Sequence, residues 1–107
     1  ISIQAKRNCI AQLCQTVTSP IYLNLNSGSH NHQAYEYVYL ANQAGCQAVT
    51  VENAVIARPE YMAVISENTQ FDLAQTDYYE LSLFQPRIFS QEIICQDNLS
   101  INIFQKN

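Results

Sequence analysis

Apolar and polar positions alternate without a break from Gln33 to Leu40. Tyr35, Tyr37 and Tyr39 fall on one side of this run; Ala34, Glu36, Val38 and Leu40 fall on the other. A period of two with aromatic and β-branched residues predicts a strand. A second alternating run, Ile21 to Leu25, precedes it across the polar segment from Asn26 to His32, so the two read as a β-hairpin carrying a row of tyrosines. Upstream the period changes. Ile10, Leu13, Cys14 and Val17 recur at i, i+3, i+4 and i+7, which predicts a short helix over Ile3 to Val17. Thr18-Ser19-Pro20 ends it, because the residue before a proline is pushed out of the helical region.

The rest of the chain reads mostly as strands. Asn42 to Gly45 makes a turn, Cys46 to Val51 alternates, and Asn53 to Arg58 fits neither period before Pro59 breaks it. Tyr61 to Ser66 is apolar almost throughout and fits a buried strand or a short helix starting at Pro59. The strand is favoured because the run is short and Glu67-Asn68-Thr69 follows as a turn. Tyr78 to Phe84 places Tyr79, Leu81 and Leu83 on one face. Arg87 to Gln96 and Leu99 to Gln105 are separated only by Asp97-Asn98, two residues that tolerate positive φ and suit a type I′ hairpin turn. Followed outward, that turn sets Ile94 opposite Ile101, with Leu99, Ile103 and Ile88 on the core face. Cys95, Ile93, Phe89 and Phe104 then share the other face, which needs a cover because exposed patches of that kind are uncommon.

The expected fold is mainly β. It is an antiparallel two-layer sandwich or a curled sheet of about seven strands, with one short N-terminal helix. The expected organisation is a single domain over residues 1–107, with 1–17 helical and docked on the sheet and 21–105 forming the antiparallel body.

Composition narrows the functions. The 107 residues carry a net charge of −4, and charged residues are only 13% of the chain, so the polar surface comes from 22 Gln and Asn residues. The five basic residues, Lys6, Arg7, Arg58, Arg87 and Lys106, form no stripe, which argues against a nucleic-acid partner. No apolar run is long enough to span a membrane. The chain opens mid-pattern at Ile1, which leads us to expect that upstream residues have been removed.

Four cysteines, Cys9, Cys14, Cys46 and Cys95, do not have zinc-ligand spacing. They read better as two disulfides formed in an oxidising compartment, secreted or periplasmic. Two pairings stay open. In the favoured one Cys95 bonds to Cys9 or Cys14, with Cys46 taking the other, so that the N-terminal segment covers the second face of the late hairpin. The rival joins Cys9 to Cys14 and Cys46 to Cys95.

Candidate chemistry is sparse. His30 and His32 are weak candidates for a metal clip, with Glu36 near enough to add an oxygen, but a metal needs further ligands. No nucleophile elbow, ordered carboxylate pair or phosphate-cradling loop is present, and no cofactor is expected. Asn98-Leu-Ser100 matches an N-glycosylation pattern but overlaps the late turn. The tyrosines are the better clue. With Ala34, Val38 and Leu40 facing the core, Tyr35, Tyr37 and Tyr39 form an outward ladder on the same hairpin as Tyr22. Tyrosine gives contact area, a hydroxyl and little rotamer cost, which suits protein partners and also glycans. Glu36 stands against this, since it would occupy the middle of the core face; in the opposite reading the tyrosines pack inward.

The expectation is therefore a small exported, non-enzymatic module that recognises another protein through Tyr22, Tyr35, Tyr37 and Tyr39. In outline, an N-terminal helical piece followed by an antiparallel sheet with a late cysteine resembles the globular part of a pilin-like subunit. That resemblance implies a structural subunit of an extracellular assembly. A small hydrolase or metal-binding protein is the third reading.

Overall fold

A computed structural model describes residues 1–18, 20–26, 31–70, 84 and 87–106. The chain runs α1 (Ile3–Thr16), β1 (Ile21–Asn26), β2 (Asn31–Gln33), α2 (Tyr35–Gln43), β3 (Ala48–Val49), α3 (Val51–Ala57), β4 (Tyr61–Glu67), β5 (Arg87–Ile94) and β6 (Leu99–Lys106). It is mainly β: one open, mixed sheet in the order β2-β1-β4-β6-β5, with β3 adding a short parallel pair to β1. β1 and β4 are parallel; β4, β6 and β5 are successively antiparallel. Of the expected antiparallel two-layer sandwich or curled sheet of about seven strands with a short N-terminal helix, the mainly β character and the helix hold. Among the described residues the sheet is single and mixed rather than antiparallel. The β1-to-β4 connection, through α2 and α3, makes the parallel pair. The strand expected over Tyr78 to Phe84 lies outside the described residues, apart from a buried Phe84.

β1 and β4 are almost wholly buried, which explains their near-continuous apolar character: both faces of the sheet are covered at its centre. One face presents Ile21, Leu23, Ala63, Ile65, Leu99, Ile101 and Ile103 to α1 and α2. The other groups Tyr22, Met62, Val64 and Phe104 with Ala54 of α3 and Phe84. This second face is the more polar. Asn24 and Asn102 flank Val64 in the sheet and are buried, and their amide oxygens have no hydrogen-bond partner among the described residues.

The N-terminal helix forms where its periodicity places it. The Ser2 hydroxyl accepts from the Ala5 N–H at 3.1 Å, satisfying one of the open donors at the helix start. Ala5, Cys9, Ile10 and Leu13 make the buried stripe. Two disulfides fix that stripe, Cys9–Cys95 and Cys14–Cys46, each with Cα atoms 5.6 Å apart. They span 86 and 32 residues of sequence, so both restrict the unfolded chain strongly. The first clamps α1 to the late hairpin, and the second clamps it to the segment after α2.

The alternating tyrosine run is a helix, not a strand. In β1–β2 the hairpin expected from Ile21 onward exists only as three paired positions, ending with Asn24 opposite Gln33. The chain then turns into α2. Ala34, Tyr37 and Ala41 are buried and Val38 is half-buried, a spacing of i, i+3, i+4 and i+7 that packs against the core. Gly45 closes the helix at φ 94°: Cys46 N–H donates to the Ala41 carbonyl and Gly45 N–H to the Asn42 carbonyl. This is a Schellman stop, and it needs a residue free to adopt positive φ. Likewise Cys46 to Val51 contributes only the two residues of β3, and the ambiguous segment after it becomes α3.

The late hairpin forms with its turn as expected, Asp97 and Asn98 both at φ 58°. Its register differs by one residue. Cys95 N–H donates to the Leu99 carbonyl at 2.8 Å, which sets Ile93, not Ile94, opposite Ile101. A single slip exchanges the faces of a strand. Ile94 is consequently 70% exposed while Ile93 packs on the core. A second irregularity at Ser90, between Phe89 and Gln91, returns Ile88 to the face of Ile101 and Ile103, opposite Gln105, where it is still half-exposed.

Candidate functional site

The helix separates the four tyrosines that the alternating pattern had grouped. Positions two apart on a helix lie about 200° apart, whereas positions four apart share a face. Tyr35 and Tyr39 therefore point to solvent together, each 54% exposed, and Tyr37 points inward at 1%. Tyr22 is removed from the surface altogether. It sits in β1 on the second sheet face, opposite Met62 and buried with it. The expected ladder of outward tyrosines is thus corrected to a pair.

Tyr37 belongs to a polar knot where α1, α2 and the end of β4 meet. Its hydroxyl donates to the Glu67 carboxylate, and Lys6 Nζ lies 5.6 Å from the centre of its ring. Lys6 also pairs with Glu36 at 2.6 Å and approaches Glu67 at 3.8 Å. Glu36 is on the exposed side of α2, so the helical turn removes the difficulty it posed as a core-face residue of a strand. Burial, then the hydrogen bond to Glu67, then the charges of Glu67 and Glu36 push the Tyr37 phenol well above its ordinary value of 10.0. Because the folded-state value is raised, the associated stability is complete below about pH 10 and is lost as pH climbs beyond it. Urea titrations between pH 9 and 11.5 are expected to show this decline, and Tyr37→Phe is expected to flatten it.

The outward pair is held differently. The Tyr35 hydroxyl donates to Glu52 in the first turn of α3, and the Thr50 hydroxyl donates to the same carboxylate at 2.7 Å. These two bonds stabilise the ionised form and hold Glu52 below the usual carboxylate range. The same Tyr35–Glu52 bond raises the Tyr35 phenol. Tyr39 accepts a hydrogen bond from Gln43 Nε2 at 2.9 Å, one helical turn on. Beside Tyr39, α1 and α2 enclose an open groove of about 290 Å³ lined by Ile3, Arg7, Glu36, Tyr39, Leu40 and Gln43. Ile3 is itself 47% exposed. The site is therefore a ridge and groove on two helices, and it includes Ile3 and Arg7, which the tyrosine pattern did not reveal. Their signal was present in the helical phase of α1, which puts Ile3, Arg7 and Ile10 near one another, with only Ile10 turned fully inward.

The remaining candidates do not come together. His30 lies outside the described residues, and His32 is in β2, opposite Leu25. Among the described residues, no three His, Cys, Asp or Glu side chains converge as a metal would require. All four cysteines are disulfide-bonded. Asn98 of the glycosylation pattern is exposed on the turn. No described helix is long and apolar enough to cross a membrane. No family model, no curated protein and no solved structure matches this chain.

Proposed function

We propose that this is a small exported, non-enzymatic binding module that recognises another protein through the α1–α2 face centred on Tyr39, with Tyr35, Ile3 and Arg7 around it. One observation carries the reading: two half-exposed tyrosines on a single helix face stand beside an exposed isoleucine and a groove. Tyrosine and arginine are the residue types that most often dominate protein interfaces, and an apolar neighbour excludes water from the contact. The rings are preorganised, since Tyr35 is tied to Glu52 and Tyr39 to Gln43 before any partner arrives, which lowers the entropic cost of binding. Two disulfides fit an oxidising compartment, and secretion or a periplasmic location follows as part of the proposal. A glycan is the other ligand that the hydroxyls suit.

Site-specific photo-crosslinking tests the proposal. A photoreactive residue in place of Tyr39 is expected to give a discrete adduct with a protein from the native extracellular fraction, while the same residue in place of the exposed Glu60 gives none. Equal labelling from both positions would count against the face.

A second reading, a subunit of an extracellular assembly, draws support from β5. This edge strand presents Ile88, Phe89 and Ile94 to solvent and has no strand partner beyond β6 among the described residues.

A further inference from the structure

We propose that β5 pairs antiparallel with β5 of a second copy of this chain, joining the two sheets across a two-fold axis that passes between Ser90 and Gln91. The inference rests on β5 alone and does not depend on the α1–α2 face.

Among the described residues, β5 is the long edge of the sheet. Seven of its eight residues pair with β6 on one side, and no described strand pairs on the other. Cys95 N–H points at β6, where it donates to Leu99. Alternation along the strand therefore turns the N–H and C=O groups of Ile94 and Glu92 outward. Ile88, Phe89 and Ile94 are 53%, 42% and 70% exposed, so the open backbone edge coincides with the largest run of exposed apolar side chains on the described sheet. Such an edge is a template for strand addition.

The choice of a second copy comes from charge and face. Phe89 lies opposite Phe104, Glu92 opposite Asn102 and Ile94 opposite Ser100, which puts these three with Arg87 on the second sheet face. Ile88, Gln91 and Ile93 take the first face. An antiparallel self-pairing that uses all eight residues sets Arg87 opposite Ile94 of the second copy, Ile88 opposite its Ile93, and Phe89 opposite its Glu92. Like faces meet at these positions because the irregularity at Ser90 shifts the alternation of β5 by one residue. In the same register Arg87 and Glu92 of the two copies become diagonal neighbours on one face, close enough for opposite charges to attract. Two-fold symmetry makes that contact twice. In this register the two charged residues of the strand, Arg87 and Glu92, complement those of the second copy.

Sedimentation over a concentration series tests this on the intact, oxidised chain. The expected species at high concentration has twice the 12.2 kDa mass of the chain. Glu92→Arg is expected to weaken the dimer by about tenfold or more, and Ile94→Lys, which sets a second cation against Arg87, by a similar factor. Combining Glu92→Arg with Arg87→Glu restores the opposite-charge contact and is expected to return the dissociation constant to within about threefold of the original. Thermal melts confirm that each variant is folded. Should Glu92→Arg not fold, the exposed position of Ile94 lets Ile94→Lys decide alone. A chain that stays monomeric up to about 1 mM would overturn the proposal. So would a dimer indifferent to both single substitutions, or a double variant no tighter than Glu92→Arg alone.

Discussion

Tyr37→Ser is expected to destabilise the fold by about 3–5 kcal/mol, while Tyr35→Ser and Tyr39→Ser each change it by less than about 1 kcal/mol. The three residues are identical and evenly spaced, so the contrast isolates their setting. Tyr37 is fully buried among Ala34, Val38, Ala41 and the sheet, and its removal leaves a cavity under α2. It also deprives the partly buried Glu67 carboxylate of its phenol donor and Lys6 of the ring beneath it. Tyr35 and Tyr39 lose only surface contacts, of which the Tyr35–Glu52 bond is the more substantial. Urea denaturation of the three single variants measures all of this. Equal losses at the three positions would place them on one face of a strand and contradict the helix.

The second large effect is expected from the disulfides. Replacing Cys9 and Cys95 together by Ala should cost about 2–5 kcal/mol, and replacing Cys14 and Cys46 a similar amount. On the chain-entropy model the 86-residue link accounts for about 4–5 kcal/mol and the 32-residue link for about 4, though overlapping loops do not add in full. The physical reason is the position of α1. A 14-residue helix is marginal alone, and this one is held by a stripe of four buried residues and by both links. Opening both with reductant is expected to detach α1 and expose Ile21, Leu23 and Ile101 beneath it, seen as loss of far-UV helix signal and gain of dye binding. A reduced chain with an unchanged urea midpoint would show that α1 docks without them.

Parts of this structure were legible in the residues, and the reasons for success and failure are local. α1 could be read because Ile10, Leu13, Cys14 and Val17 fit one period only, with a proline after them; the Ser2 cap emerged only from the fold. β4 could be read because a run buried on both faces is apolar throughout. α2 could not, because Gln33 to Leu40 satisfies two periods at once. Its tyrosines alternate, yet Ala34, Tyr37, Val38 and Ala41 also follow the helical spacing. The residues that decide lie outside the run. Gly45 supplies the helix stop, and Glu36 is out of place on the core face of a strand but is satisfied by Lys6 on the surface of a helix. In the late hairpin the turn chemistry of Asp97-Asn98 was readable. The extra residue beside it, which sets Cys95 opposite Leu99, has no sequence mark, and it moves Ile94 from the expected core to solvent. The mixed sheet follows from a long β1-to-β4 connection that a pattern of short strands does not disclose. The candidate surface was half legible: Tyr35 and Tyr39 were visible as tyrosines, but their union with Ile3 and Arg7 needed the packing of α1 on α2.

The central claim is that the α1–α2 face binds a protein, and affinity for the partner recovered by crosslinking at position 39 tests it most directly. Tyr39→Ala is expected to weaken that affinity by about 30-fold or more, the level of a dominant interface residue, with the urea midpoint unchanged. An affinity within about twofold of the original, in a variant that is as stable as the parent, would contradict it.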